Sequence, residues 1–156
     1  LEIEPESAGD YAMVGLIYYY LENHTLARAS LDTAIREGYA QAITLLGKIC
    51  LEDGDVSGAK DLYANALEKG LDRAQCCNGL ALCEAKSGNY AVALSYIEEG
   101  LEYADETSKK SLLFNQITIY EDMRDFETAK EKTEEFLKLY PDDEAAKREY
   151  KYLSHT

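Results

Sequence analysis

Apolar residues recur along this chain at steps of three and four, the spacing that places them on one face of a helix. In residues 40–53 they are Ala42, Ile43, Leu46, Ile49 and Cys50, and residues 56–69 follow the same period. No stretch alternates with period two over the length of a strand. The pattern therefore predicts an all-α protein with nine helices, at about 8–21, 25–37, 40–53, 56–69, 74–87, 90–103, 108–122, 126–139 and 143–153.

Short polar turns separate these helices. Gly54 and Asp55 lie between the third and fourth helices, and Gly88 and Asn89 repeat the arrangement two helices later. Glycine accepts the left-handed conformation that ends a helix, and Asp or Asn accepts hydrogen bonds from the free N–H groups that begin the next. We therefore predict helix N-caps at Asn23, Asp55, Asn89 and Asp125.

The turns belong to a longer repeat, whose four copies are separated by 32, 34 and 36 residues. Small residues occupy two further columns of the repeat, so that paired helices can approach closely. The first column holds Ala27, Ala59, Ala93 and Ala129, and the second holds Ala34, Ala66, Gly100 and, as an exception, Phe136. Large residues are expected to fill the space beside them: Tyr11, Leu31, Tyr63, Ile97 and Phe126.

These columns resemble the tetratricopeptide repeat (TPR), whose signature is a large apolar residue, Leu-Gly, Tyr, Ala, an aromatic residue and Pro. The second copy matches best, with Ile43, Leu46, Gly47, Cys50, Ala59, Tyr63 and Ala66. The short 32-residue step into this copy is also similar to Sel1-like repeats. The resemblance implies a right-handed α-solenoid of four helix-turn-helix repeats, at about 8–39, 40–73, 74–107 and 110–143, with a capping helix at 143–153. An acidic leader, 1–7, would precede this single domain.

The resemblance also implies a function, because the first helices of such repeats line a concave groove that holds a peptide or a helix of a partner protein. By this analogy the contacts would come from Leu16, Tyr19, Tyr20, Lys48, Leu51, Gln75, Asn78, Leu82, Lys86 and Phe114. Some family members hold a C-terminal carboxylate with Lys, Asn and Arg, but here the first repeat supplies only Leu16, Tyr19 and Tyr20. A mixed aromatic and polar groove is therefore favoured.

Two other interpretations stay open at this point. Tyr18–Tyr20 could pack at the exposed first repeat or against a helix upstream, rather than bind a partner. The chain could also be a structural spacer or a homo-oligomerising scaffold domain of a longer protein. For its oligomeric state we expect a monomer or a weak homodimer. Because it begins with Leu1, we expect a segment cut from a longer precursor, whereas unpaired cysteines favour a reducing compartment.

Net charge narrows the class of partner. The chain carries −14, which repels phosphate backbones and anionic lipid surfaces and argues against nucleic acid and membranes. No apolar run approaches the ~20 residues of a membrane span. The charge is uneven, since residues 1–7 carry −3 and residues 144–156 carry +1. The excess of negative charge is interpreted either as a solvated acidic surface or as an acidic patch that steers a basic partner.

The residues that carry chemistry in enzymes are sparse. Cys50, Cys76, Cys77 and Cys83 lack the paired spacing of a zinc site, and they are interpreted as buried thiols, although Cys50 could pair with Cys77 or Cys83. His24 and His155 are isolated, and His24 is expected to pack at a turn. Metalloprotease and phosphate-binding motifs are absent from the sequence. We therefore expect no catalysis, no cofactor and no metal.

Overall fold

The computed structural model describes residues 4–155, and within that range the chain forms helices and no strands. The helices are α1 (Ala8–Tyr20), α2 (His24–Arg36), α3 (Ala42–Glu52), α4 (Val56–Glu68), α5 (Arg73–Lys86), α6 (Tyr90–Glu102), α7 (Glu106–Asp122), α8 (Phe126–Leu139) and α9 (Glu144–Leu153). Each boundary lies within two residues of its predicted position, so the all-α prediction is confirmed.

The helices form two compact units, which are described separately. The first unit, up to Asp72, contains α1–α4, and the second, from Arg73, contains α5–α9. Part of the predicted acidic leader, residues 1–3, lies outside the described residues. Residues 4–6 precede α1 without regular structure, and Ser7 caps the helix by accepting a hydrogen bond from the Asp10 N–H. That all repeats form one superhelical domain stays a prediction.

One turn design recurs within all four helix pairs. The residue that caps the second helix donates its N–H to the carbonyl five residues earlier, at 2.8–2.9 Å in every copy. The residue before it has positive φ, which glycine adopts without strain: Gly54 (77°) and Gly88 (80°) in two copies, but Glu22 (59°) and Arg124 (61°) in the others. The side chains of Asn23, Asp55 and Asp125 then accept the predicted capping hydrogen bonds.

The prediction for Asn89 is wrong in one respect. Asn89 occupies the N-cap position of α6, but its side chain makes no capping hydrogen bond. Its Nδ2 donates instead to Glu84 Oε2, at 2.8 Å. The Glu84 side chain is only 5% exposed. A buried carboxylate requires hydrogen-bond donors more strongly than a partly solvated helix N-terminus requires an acceptor, so the amide turns toward Glu84.

The small-residue column forms the contact between paired helices, as predicted. Ala27, Ala59, Ala93 and Ala129 are completely buried. Gly47 has the same purpose in α3, since a Cβ there would collide with the ring of Tyr63. Of the large residues expected beside these columns, Leu31, Tyr63 and Ile97 are buried, whereas Tyr11 and Phe126 are only half-buried because each lies in the first turn of its helix.

Candidate partner-binding surface

Tyr19 and Lys48, two of the predicted contact residues, meet in the first unit. The Tyr19 hydroxyl donates to Glu52 Oε1 at 3.1 Å, and the Lys48 amine lies 5.4 Å from the centre of the Tyr19 ring. The same amine is 4.0 Å from Glu52. The charge of Lys48 is therefore partly compensated inside the unit, and the ring of Tyr19 is held in one orientation.

The other predicted residues of this unit lie around that pair. Tyr20 is 74% exposed and its ring is tilted against Tyr19, with 5.7 Å between ring centres. Leu51 is half-buried on α3. Leu16 lines a small cleft of about 200 Å³ between α1 and α3, whose other lining residues are mostly apolar. This side of the unit therefore combines an exposed aromatic ring, a shallow apolar cleft and an ion pair.

Sequence reasoning missed an ionic cluster beside this surface. His24 Nδ1 lies 2.5 Å from Asp53, and the Arg28 guanidinium lies 2.6 Å from Asp55 and 3.6 Å from Asp53. Arg28, followed by the N–H of Gly58, lowers the pKa of Asp55. The spacing of His24 and Arg28 places both on one face of α2, but only the fold shows that this face meets the α3–α4 turn. His24 was expected to pack at this turn, and its ring stacks on the ring of Tyr19, with 5.6 Å between the ring centres.

A larger cleft of the first unit lies away from the predicted contacts. It measures about 490 Å³ and is bordered by α2, α3 and α4, with Arg28, Asp32, Arg36 and Lys69 among its charged lining residues. None of the predicted contact residues lines it. This cleft therefore lies apart from the predicted contacts, mainly on the second helices of the first two repeats.

In the second unit, Asn78 is a structural residue as well as a predicted contact. Its side chain is only 6% exposed. Its Nδ2 donates to Ser111 Oγ at 3.1 Å, and its Oδ1 accepts from Asn115 Nδ2 at 2.7 Å. Both polar groups of the amide are thus engaged by α7. The remaining predicted residues of α5 are Gln75 and Leu82, which are half-buried, and Lys86, which is exposed.

Phe114 opens onto a cleft of about 340 Å³ formed by α7, α8 and the start of α9. Its ring meets Phe136 edge-on, 5.7 Å between centres, and together they form an aromatic floor. The rim carries both charges, since Lys110 Nζ lies 2.9 Å from Asp143 Oδ2. Hydrogen bonds from the Ala146 N–H and then from Lys110 lower the pKa of Asp143, so this carboxylate stays charged. Thr107, Ser111, Asn115 and Ala145 complete the lining.

The described residues contain little that suggests other chemistry. No group of three or more His, Cys, Asp or Glu side chains within residues 4–155 could hold a metal ion. All four cysteines are buried, and burial raises the pKa of Cys77 to about 11. None of the helices in this range has the length and apolar character that a membrane span requires.

Comparison with known proteins identifies the family. Two family models, both described as tetratricopeptide repeat, match residues 44–108 and 111–143, which together make up more than half of the chain. The chain belongs to the TPR family. No curated protein matches its sequence.

Solved structures with the same fold are distant in sequence. They include the APC/C hetero-tetramer Cut9–Hcn1 (19% identity, TM-score 0.73, covering 95% of this chain and 30% of that one). A C-terminal part of a TPR protein from Cytophaga hutchinsonii has 18% identity and a TM-score of 0.67, and the match covers 94% of this chain and 58% of that one. The first TPR of Spaghetti (RPAP3), bound to an HSP90 peptide, has 19% identity and a TM-score of 0.62, and the match covers 74% of this chain and 93% of that one. This chain therefore spans only 30% and 58% of the first two chains.

The family and these likenesses define the class of protein. The fold is an all-α helical repeat of the solenoid class, as predicted. Repeat folds of this kind present extended surfaces to other proteins. The chain is thus a protein–protein interaction module.

Proposed function

We propose that this module binds a peptide or a helical segment of a partner protein on the exposed faces of its first helices, α1, α3, α5 and α7. The observation that carries the proposal is the cleft beside Phe114. Its aromatic floor suits an apolar side chain of the partner. The hydroxyl, amide and charged side chains on its rim can form hydrogen bonds with the N–H and C=O groups of a peptide backbone. A volume of about 340 Å³ lies within the range of small-ligand pockets.

The charges favour binding through side chains rather than through a terminal carboxylate. Of the cations predicted for the groove, Lys48 is already paired with Glu52. The Asn78 amide is satisfied by α7. Lys86 is exposed, and a single lysine is a weak match to a carboxylate, which Arg and clustered donors bind more strongly. The peptide-bound TPR of RPAP3 supports the class of ligand, and the residues here support an internal segment anchored by an apolar side chain.

A blocking substitution tests the proposal. Peptides would be selected on the wild-type chain from a random display library and their affinities measured by calorimetry. Thr107, which is exposed on the rim of the cleft, is replaced by Trp to fill it, and Thr25, exposed on α2, receives the same change as the control. We expect Thr107→Trp to weaken binding about tenfold or more and Thr25→Trp to leave it unchanged. Equal affinity in all three proteins would contradict the proposal.

A further inference from the structure

The larger cleft of the first unit differs in charge from the rest of the chain. It measures about 490 Å³ and lies between α2 and α4, over the buried side chains of Leu46 and Cys50 of α3. Three cations and one acid line it: Arg28, Arg36, Lys69 and Asp32. Because the whole chain carries −14, a lining with an excess of cations is a local exception. The cleft therefore suits an anion, which most of this acidic surface would repel.

Two of the three cations are available to a ligand. Arg28 is held by Asp55, at 2.6 Å. Arg36 Nε lies 3.0 Å from Asp32 Oδ2, but both side chains are more than half exposed, and a guanidinium has five N–H donors, so that it can hold a second carboxylate as well. Lys69 is exposed and forms no ion pair among the residues that the structure describes.

The available cations lie at one end of an apolar groove. Arg28 joins the start of α2 to Asp55, the N-cap of α4, so Arg36 and Lys69 at the C-terminal ends of these helices lie at the opposite end. On α2 the distance from Arg28 to Arg36 is about 12 Å. Apolar side chains of the two helices and of the turn after α4 line the groove: Ala29, Ile35, Leu62, Ala66 and Leu71.

Backbone polarity decides which anion fits this groove. A peptide brings an N–H and a C=O group at every residue, and these groups lose hydrogen bonds when they lie against apolar side chains. Among the lining residues of α2 and α4, only Asn65 offers an uncharged amide. A partner helix about 10 Å wide and 12 Å long would occupy roughly 900 Å³, more than the cleft holds. An alkyl chain has no polar groups to satisfy and can fill such a groove.

We propose that the larger cleft binds a small carboxylic acid with an alkyl tail. The carboxylate would lie between Arg36 and Lys69, and the tail would run over Leu46 and Cys50 toward Gly58. A volume of about 490 Å³ lies within the range of small-ligand pockets, which are mostly apolar and have few polar anchors. This site is separate from the cleft beside Phe114, so either proposal can fail alone.

Three molecules with the same tail test the charge of the ligand. Octanoate, octanol and octylammonium, each below the concentration at which it forms micelles, are titrated into the isotope-labelled chain and followed by NMR. We expect octanoate to shift the amides of Ala29, Ile35, Leu62 and Asn65. It should bind at least about tenfold more tightly than the other two molecules and lose affinity as salt is added.

Charge variants assign the carboxylate to its two cations. Arg36→Gln with Lys69→Gln is expected to weaken octanoate binding about tenfold or more. The control is Lys138→Gln with Lys151→Gln, which removes the same charge from the last turns of α8 and α9 and should have no effect on binding. The control also matches the loss of favourable charge at two helix C-termini.

Filling variants assign the tail to the groove. Asn65→Trp places a large side chain in the cleft and should weaken octanoate binding about tenfold or more. Ala64→Trp makes the same change at the neighbouring exposed position of α4, outside the lining, and should leave binding unchanged. Circular dichroism confirms that each variant is folded.

Four results would overturn the proposal. The first is equal affinity for octanoate, octanol and octylammonium, and the second is full octanoate binding by the Arg36→Gln, Lys69→Gln protein. The third is a set of octanoate shifts that leaves the amides of α2 and α4 unaffected. The fourth is tighter binding at these same amides by a leucine-containing acidic peptide than by octanoate, because the cleft would then be a site for a protein segment.

Discussion

Helices α1 and α5 are both first helices of a repeat, yet they are buried to very different extents. α5 buries ten of its fourteen residues, among them Asn78 and Glu84, whereas α1 buries only Val14 and Gly15 of thirteen. α1 nevertheless has the more apolar sequence, with an unbroken run from Ala12 to Leu21. α5 packs against α6 and α7, while α1 has one main neighbour, α2. The neighbouring helices, and not composition, decide which apolar side chains of these two helices are buried.

The largest expected effect comes from truncating equivalent apolar volume in the two helices. Leu80→Ala in α5 removes a fully buried side chain and should lower the free energy of unfolding by about 2–5 kcal/mol. Met13→Ala in α1 should change it by no more than about 0.5 kcal/mol, because the side chain is mostly exposed. Urea denaturation measures both. Similar losses of unfolding free energy in the two variants would contradict the difference in burial between α1 and α5.

The two asparagine turns extend the comparison to polar groups. Asn23→Asp, at the turn that follows α1, should be tolerated, because Asp55 and Asp125 already cap in the same position. Asn89→Asp, at the turn that follows α5, should cost about 1–3 kcal/mol, because the buried Glu84 loses a donor and gains a like charge. Thermal unfolding at neutral pH compares the two variants. Equal melting temperatures would show that the Glu84–Asn89 hydrogen bond does not contribute.

A pH effect is expected from α7 and α9. Burial, followed by a hydrogen bond and repulsion from Glu149, raises the pKa of Glu121 to about 7. The folded chain therefore holds a proton that the unfolded chain releases, and this contribution is complete below about pH 4.5 and is lost as pH rises through 7. After allowance for solvent screening, the loss between pH 5 and 8 should be on the order of 1 kcal/mol. Glu149→Gln should reduce this pH dependence only in part, because burial, the larger cause, remains. Urea unfolding at each pH measures the slope, and an unchanged slope would contradict the contribution of Glu149.

The smallest effect concerns the turns with positive φ. Replacing Arg124 (φ 61°) with Gly should raise the free energy of unfolding by a few tenths to about 1 kcal/mol, because glycine adopts this conformation without strain. Gly88→Ala, at the equivalent position after α5, should lower it by about 1 kcal/mol. Chemical denaturation of the two variants measures the expected gain in stability for Arg124→Gly and the expected loss for Gly88→Ala. A loss of stability in Arg124→Gly would mean that the arginine side chain contributes more than the backbone strain costs.

Much of the fold could be predicted because it depends on local and periodic signals. Apolar spacing, Gly-Asp turns and the alanine column define the helices and their pairing, and the register repeats four times. Asn89 could not be predicted, because its hydrogen bond depends on the burial of Glu84. Glu22 and Arg124 adopt positive φ without the glycine that normally signals it.

The candidate site is harder to derive, since it depends on contacts between repeats. Tyr19 and Lys48 are 29 positions apart and meet only when α1 lies beside α3. The cleft beside Phe114 combines residues of three helices with a rim ion pair from Lys110 to Asp143. Whether the ten predicted residues bind a partner stays a prediction.

The most direct test of partner binding on the first helices is an NMR titration of the labelled chain with a library-selected peptide. We predict chemical-shift changes at the amides of Thr107, Ser111, Phe114 and Asn115, which border the cleft beside Phe114. The residues of α2 and α4 that line the larger cleft of about 490 Å³ should not change. Shifts confined to that second-helix cleft, with the Phe114 region unaffected, would contradict the account.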